Sequence, residues 1–126
     1  MIFKQLFDKT SFTYTYLLSS GQNREAIIID PVLENVDEYI NILDQLNLNL
    51  INVIDTHVHA DHISGIGSLK DKTDCETVMG EKTPIDVVSI KLKDGEILNV
   101  DGIKLKTLYT PGHTIESCSF LLNNNL

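Results

Sequence analysis

The sequence predicts a fold of the α+β class, and three observations carry that expectation. Short runs of aromatic and β-branched residues open the chain and recur near its end. An apolar stripe at helical spacing begins at Val36, and Asp101-Gly102 sits between two short alternating stretches. Several strands, a helix, a strand, a short helix and then more strands make a mixed α and β order.

Taken in order, residues 2–7 and 12–19 read as strands joined by the turn Asp8-Lys9-Thr10-Ser11. Residues 20–24 form a second turn. Ala26-Ile27-Ile28-Ile29 is a continuous apolar run that suits a strand buried on both faces, and Pro31 ends it. Positions 36, 39, 40, 43 and 46 then form an apolar stripe opposed by Asp37, Glu38, Asn41 and Asp44, with Asn35 placed as N-cap. Leu50-Ile51-Asn52-Val53-Ile54 is the next strand.

A second short helix is expected over 62–70, where Ile63, Ile66 and Leu69 keep helical spacing. Gly65 and Gly67 weaken it but let a backbone pass close to a site. Residues 75–79 suit a strand. Residues 97–100 and 103–108 form a hairpin whose Asp101-Gly102 supplies the positive φ angles of a type I′ turn, with Lys104 and Lys106 facing outward against Ile103 and Leu105. The last strand spans 119–122, and Asn123-Asn124-Asn125 reads as a turn leading onward.

A chain of 126 residues suits one domain, 1–126, and leaves no room for two. With 42% hydrophobic and 22% charged residues it can bury a core. A formal charge of −8 with scattered Lys and Arg argues against nucleic acid or anionic membrane as partners, because both repel an acidic surface. No apolar run approaches ~20 residues, so no membrane span is expected. Cys75 and Cys118 form no paired motif and read as two small buried thiols in a reducing compartment. With an N-terminus that shows no leader pattern, the expected location is the cytoplasm.

All four histidines fall in two short motifs, Thr56-His57-Val58-His59-Ala60-Asp61-His62 and Thr110-Pro111-Gly112-His113-Thr114. A turn leaving a strand puts residues i and i+2 on one side, so His57 and His59 can converge on one ion while Asp61 and His62 point to a neighbouring position. A lone loop histidine is more often an ordinary hydrogen-bonding residue. Three with an aspartate, at the carboxyl end of a buried strand, point to metal. Imidazole and carboxylate suit Zn, Fe or Mn, and a thiolate-free set suits catalytic use. Pro111-Gly112 turns the chain so that a loop presents His113 as a third imidazole, with Thr114 helping to fix the turn.

HxHxDH followed by PGHT resembles the metallo-β-lactamase superfamily. Residues 12–18, 25–32 and 56–65 are most similar to its sulfur-oxidising branch, the persulfide dioxygenases. Asp30-Pro31-Val32 stands where glyoxalase II-like thioesterases often carry Asp-Pro-Gly. The resemblance implies the N-terminal half of a metallo-β-lactamase-like αβ/βα sandwich. It implies His57 and His113 as ligands of one Fe(II) per chain, with Zn(II) as the alternative metal. His59 belongs to the first metal site of the hydrolase relatives, and Asp61 and His62 to their second. In a dioxygenase these three shape the surroundings of the iron, with Asp61 the one candidate for a further catalytic part.

The aspartate ligand of that family comes from a Gly-Asp segment beyond the strand after PGHT, and these 126 residues hold none there. The implied substrates are glutathione persulfide and O₂, giving sulfite and glutathione, with activity absent or impaired in a chain of this length. The competing readings are a glyoxalase II-like thioesterase, that is, a hydroxyacylglutathione hydrolase, and a metal-binding fragment without catalysis. Asp30 either orients a ligand histidine or serves as a plain turn carboxylate. Cys118 reads as packing, and Tyr14 and Tyr16 as sheet residues. A half-sandwich exposes an apolar sheet face, which favours homo-oligomers.

Overall fold

The structure is a computed structural model that describes residues 1–57, 65–83, 88–110 and 118–123. The strands are β1 (Ile2–Asp8), β2 (Thr13–Ser19), β3 (Glu25–Ile29), β4 (Asn49–Ile54), β5 (Glu76–Gly80), β6 (Ile90–Leu92), β7 (Ile97–Val100), β8 (Ile103–Tyr109) and β9 (Cys118–Asn123). The helices are α1 (Val36–Gln45), entered through a 3-10 turn at Leu33–Asn35, and α2 (Ile66–Thr73). One sheet has the order β1-β2-β3-β4-β5-β6, antiparallel through β3 and parallel from β3 to β6. The second, β7-β8-β9, is antiparallel.

Side-chain alternation along β3 explains the layering. Ala26 and Ile28 pack with Val36, Tyr39 and Leu43 of α1 and with Leu69 of α2. Ile27 and Ile29 face the other way, meeting Ile54 and Val78 and the second sheet's Val100, Ile103 and Leu105. The apolar run is thus buried on both faces, as its composition predicts. Each such fully buried aliphatic side chain contributes about 1.5–3 kcal/mol.

Helix α1 buries Val36, Tyr39 and Leu43 and ends in a Schellman motif. Asn47 takes φ 52°, its N–H bonds the Asp44 carbonyl at 3.2 Å, and the Leu48 N–H bonds the Leu43 carbonyl at 2.8 Å.

Several elements differ from expectation. Asn35 does not cap α1 with its side chain. The preceding 3-10 turn already uses its N–H, which bonds the Val32 carbonyl, and its amide instead donates to Asp8 at 3.1 Å. The second helix runs over Ile66–Thr73 rather than 62–70, and residues 62–64 lie outside the described set. Only one of its two glycines marks a close approach. A Cβ on Gly65 would come within 3.0 Å of Val36 and 3.3 Å of Pro31, while one on Gly67 would meet nothing within 4 Å. The sequence does not predict strand β6, because three residues carry too little pattern. Asn123 belongs to β9 rather than to a turn.

The hairpin is as expected, with Asp101 at φ 51°, Gly102 at φ 89° and a strict burial alternation from Ile103 to Thr107. Its Asp101 also bonds Arg24 and Ser20, which ties the second sheet to the turn between β2 and β3. Phe3 pairs with Leu18 and Phe7 with Tyr14 across β1 and β2. Leu18 belongs to the core between the sheets, so these aromatics share that face, yet Phe3, Phe7, Phe12 and Tyr14 are exposed. Tyr14 and Tyr16 are sheet residues, and both cysteines are buried and unpaired. No described helix is long and apolar enough to cross a membrane.

Candidate metal centre

Strands β3 and β4 are parallel, with Ile29 opposite Ile54, so both deliver their next residues to the same edge of the sheet. After β3 comes Asp30, whose N–H bonds the Ile54 carbonyl at 2.7 Å. Its φ of 56° turns the chain out of the strand, a conformation aspartate tolerates better than most residues. After β4 come the buried Asp55, whose N–H bonds the Val78 carbonyl at 3.1 Å, and then Thr56 and His57.

The Asp30 carboxylate accepts from the Thr56 N–H at 2.8 Å and from the Thr56 hydroxyl at 2.8 Å. The Thr56 oxygen lies 2.9 Å from Nδ1 of His57. An ionised carboxylate only accepts, so the hydroxyl proton points to Asp30 and the threonine oxygen is left to accept from Nδ1–H. That assigns the Nδ1–H tautomer to His57 and puts the ring's lone pair on Nε2. An outer hydrogen bond of this kind fixes ring orientation and raises ligand basicity in metal sites. The second sheet reaches the same turn, because the Cys118 N–H bonds the Thr56 carbonyl at 2.9 Å.

Asp30 therefore acts on the histidine through Thr56, which in the sequence stands out only as the first residue of the histidine motif. The one signal that could have found it is its place between a buried strand and the first histidine. His57 alone among the four histidines lies in the described residues. His59, Asp61, His62, His113 and Thr114 lie outside them. Cys118 is buried, and burial, with the negative charge of Asp30 adding to it, pushes its thiol up to about 11. It stays protonated near neutral pH, which fits packing. Beside the relay, an apolar cleft of about 240 Å³ between the sheets has Phe3, Tyr16, Leu18 and Phe120 in its wall together with Asp30 and Thr56.

A family model for the metallo-beta-lactamase superfamily matches residues 9–124. The chain is 34% identical to human mitochondrial persulfide dioxygenase ETHE1 over 126 residues, covering 99% of this chain and 49% of that protein. It is 37% identical to a hydroxyacylglutathione hydrolase of Nitrobacter hamburgensis over 87 residues, covering 68% of this chain and 34% of that protein. The crystal structure of ETHE1 from Myxococcus xanthus superposes with a TM-score of 0.92 at 43% identity, covering 97% of this chain and 54% of that one. The chain spans about half the length of the persulfide dioxygenases it matches.

Proposed function

Because the chain belongs to the metallo-beta-lactamase superfamily, we propose that it supplies the metal-binding half of an iron-dependent persulfide dioxygenase. The relay from Asp30 through Thr56 to His57 carries the metal-binding part of this reading. Likeness over nearly the whole chain to proteins named persulfide dioxygenase supports the choice of reaction.

The described part of the site, His57 with Thr56 and Asp30, fits the group. An imidazole whose Nδ1 proton is held by a hydroxyl offers Nε2 to a metal, and here the threonine hydroxyl is itself held by a carboxylate. In this reading His57 and His113 hold one Fe(II), and His59, Asp61 and His62 shape its surroundings. Bound iron supplies the redox chemistry that joins O₂ to the outer sulfur of glutathione persulfide. With one water the products are sulfite and glutathione. The chain's own contribution is to keep the proton on Nδ1, to hold the ring through Thr56, and to border the site with an apolar cleft that limits water. Two buried, unpaired cysteines suit a reducing compartment such as the cytoplasm.

The hydroxyacylglutathione hydrolase matches support a second reading. In it Asp61 and His62 would hold a second metal ion, and the metal would supply Lewis-acid chemistry for thioester hydrolysis.

Metal analysis and oxygen uptake on the full gene product carrying these residues decide between the two. The dioxygenase reading expects one iron per chain, O₂ consumption with glutathione persulfide, iron loss in H57A and H113A, and substantial retention in D61A and H62A. Two zinc ions, thioester hydrolysis and no O₂ uptake overturn it in favour of the hydrolase.

A further inference from the structure

We infer that Tyr39 and Thr15, neither of which adjoins the histidine motifs in sequence, are positioning residues for His57. The inference rests on His57 being a metal ligand.

Both side chains are 1% exposed, and their hydroxyls form one chain with the turn that carries Asp30. The Thr15 hydroxyl donates to the Asp30 carbonyl at 2.7 Å. The Tyr39 oxygen lies 3.1 Å from the Thr15 oxygen. The Val32 N–H donates to the Tyr39 oxygen at 3.0 Å. A carbonyl only accepts and an N–H only donates, so the protons have one consistent arrangement: Val32 N–H to Tyr39, Tyr39 O–H to Thr15, Thr15 O–H to Asp30.

The geometry makes this a clamp. Helix α1, through Tyr39, and strand β2, through Thr15, grip the Asp30-Pro31-Val32 turn at the carbonyl of its first residue and the N–H of its third. The gripped residue has a left-handed backbone, which aspartate does not hold by local preference alone. Its carboxylate then bonds Thr56 twice, and Thr56 bonds His57. The orientation of one imidazole is thus tied to helix α1 by hydrogen bonds that reach the Asp30 carbonyl and leave again from its carboxylate. Ring packing accounts for a buried tyrosine in this core, but it does not require the phenol oxygen to meet both a backbone N–H and a threonine hydroxyl.

Single-hydroxyl deletions test the clamp. Tyr39→Phe and Thr15→Val keep shape and remove one link each, while Thr15→Ser keeps the hydroxyl. Zn(II) affinity by competition, His57 ring ¹⁵N shifts in the metal-free protein and thermal midpoints are measured on the full gene product, with His57→Ala as reference. The expected result is Zn(II) binding weakened roughly tenfold in Y39F and T15V. The same two variants should lose the Nδ1–H signature of His57, and T15S should match the parent protein. Unchanged affinity and unchanged ring shifts in Y39F and T15V, with binding lost in H57A, overturn the clamp and leave the metal reading standing. Unchanged affinity in H57A overturns both.

Discussion

Asp30 holds Thr56 at two atoms, its backbone N–H and its hydroxyl, each at 2.8 Å, although the two residues close different strands. The double contact fixes where the chain leaves β4 and which way the hydroxyl proton points. Thr56→Val preserves the branched shape and the backbone contact but cuts the link to His57. Metal affinity should fall by roughly 10–100-fold while Thr56→Ser retains it, as outer partners of ligand histidines generally behave. Isothermal titration of the metal-free protein with Zn(II) measures this. Equal affinity in the valine and serine variants would show that the hydroxyl does not orient the ring.

Most of this geometry was legible in the sequence only as far as its strands. Ala26-Ile27-Ile28-Ile29 and the Asp101-Gly102 hairpin announce themselves because burial on both faces and a type I′ turn each demand a narrow set of residues. The paired ends of β3 and β4 do not, because parallel pairing joins residues far apart in the chain and leaves no local period. Asn35 misled for a related reason. Its residue type suits an N-cap, but a tertiary partner, Asp8, competes for its amide. Of the candidate site, only His57 among the histidines is described, whereas Thr15, Tyr39 and Thr56 look like ordinary strand, helix and loop residues until the fold puts them in line.

At the far end of the molecule, Asp101 makes stability depend on acid. Hydrogen bonds from Arg24 and then Ser20 lower its carboxyl to about 2 from an ordinary 3.8. A depressed carboxylate stabilises the fold above its unfolded value, and that contribution disappears as pH falls from near 4 through about 2. Urea midpoints of the parent chain and Asp101→Asn, which keeps the left-handed turn residue, should therefore differ at pH 6 and converge by about pH 2. A gap that persists undiminished at pH 2 would mean that the charge is not what joins the two sheets there.

Thr107 offers the opposite case, a polar group that contributes nothing where it lies. It is 1% exposed, and among the described residues its hydroxyl has no hydrogen-bond partner. Its backbone is already satisfied, with the N–H bonding Glu96 and the carbonyl accepting from Gly95. Thr107→Val removes the desolvated hydroxyl at constant shape and should stabilise the chain by about 1 kcal/mol. Denaturant unfolding checks the sign. A destabilised valine variant would require a partner for that oxygen.

The exposed aromatic face predicts how the 126-residue chain behaves by itself. Phe3, Phe7, Phe12 and Tyr14 stand in water on the face that elsewhere forms the core between the sheets, with Phe12 79% exposed. Phe7 touches both Phe12 and Tyr14, so these three form one contiguous patch. Contiguous apolar surface of this kind favours association, and β1, paired only with β2 among the described residues, adds an open strand edge. A net charge of −8 opposes it, since two copies repel. Salt screens that repulsion, with a Debye length near 10 Å at 0.1 M, and leaves the apolar contribution in place. Sedimentation velocity should therefore show dimers or larger species that grow with ionic strength, and Phe7→Ser with Phe12→Ser should return the chain to monomer without loss of sheet signal. A parent chain that stays monomeric from low salt to 0.5 M would show that this face is not adhesive.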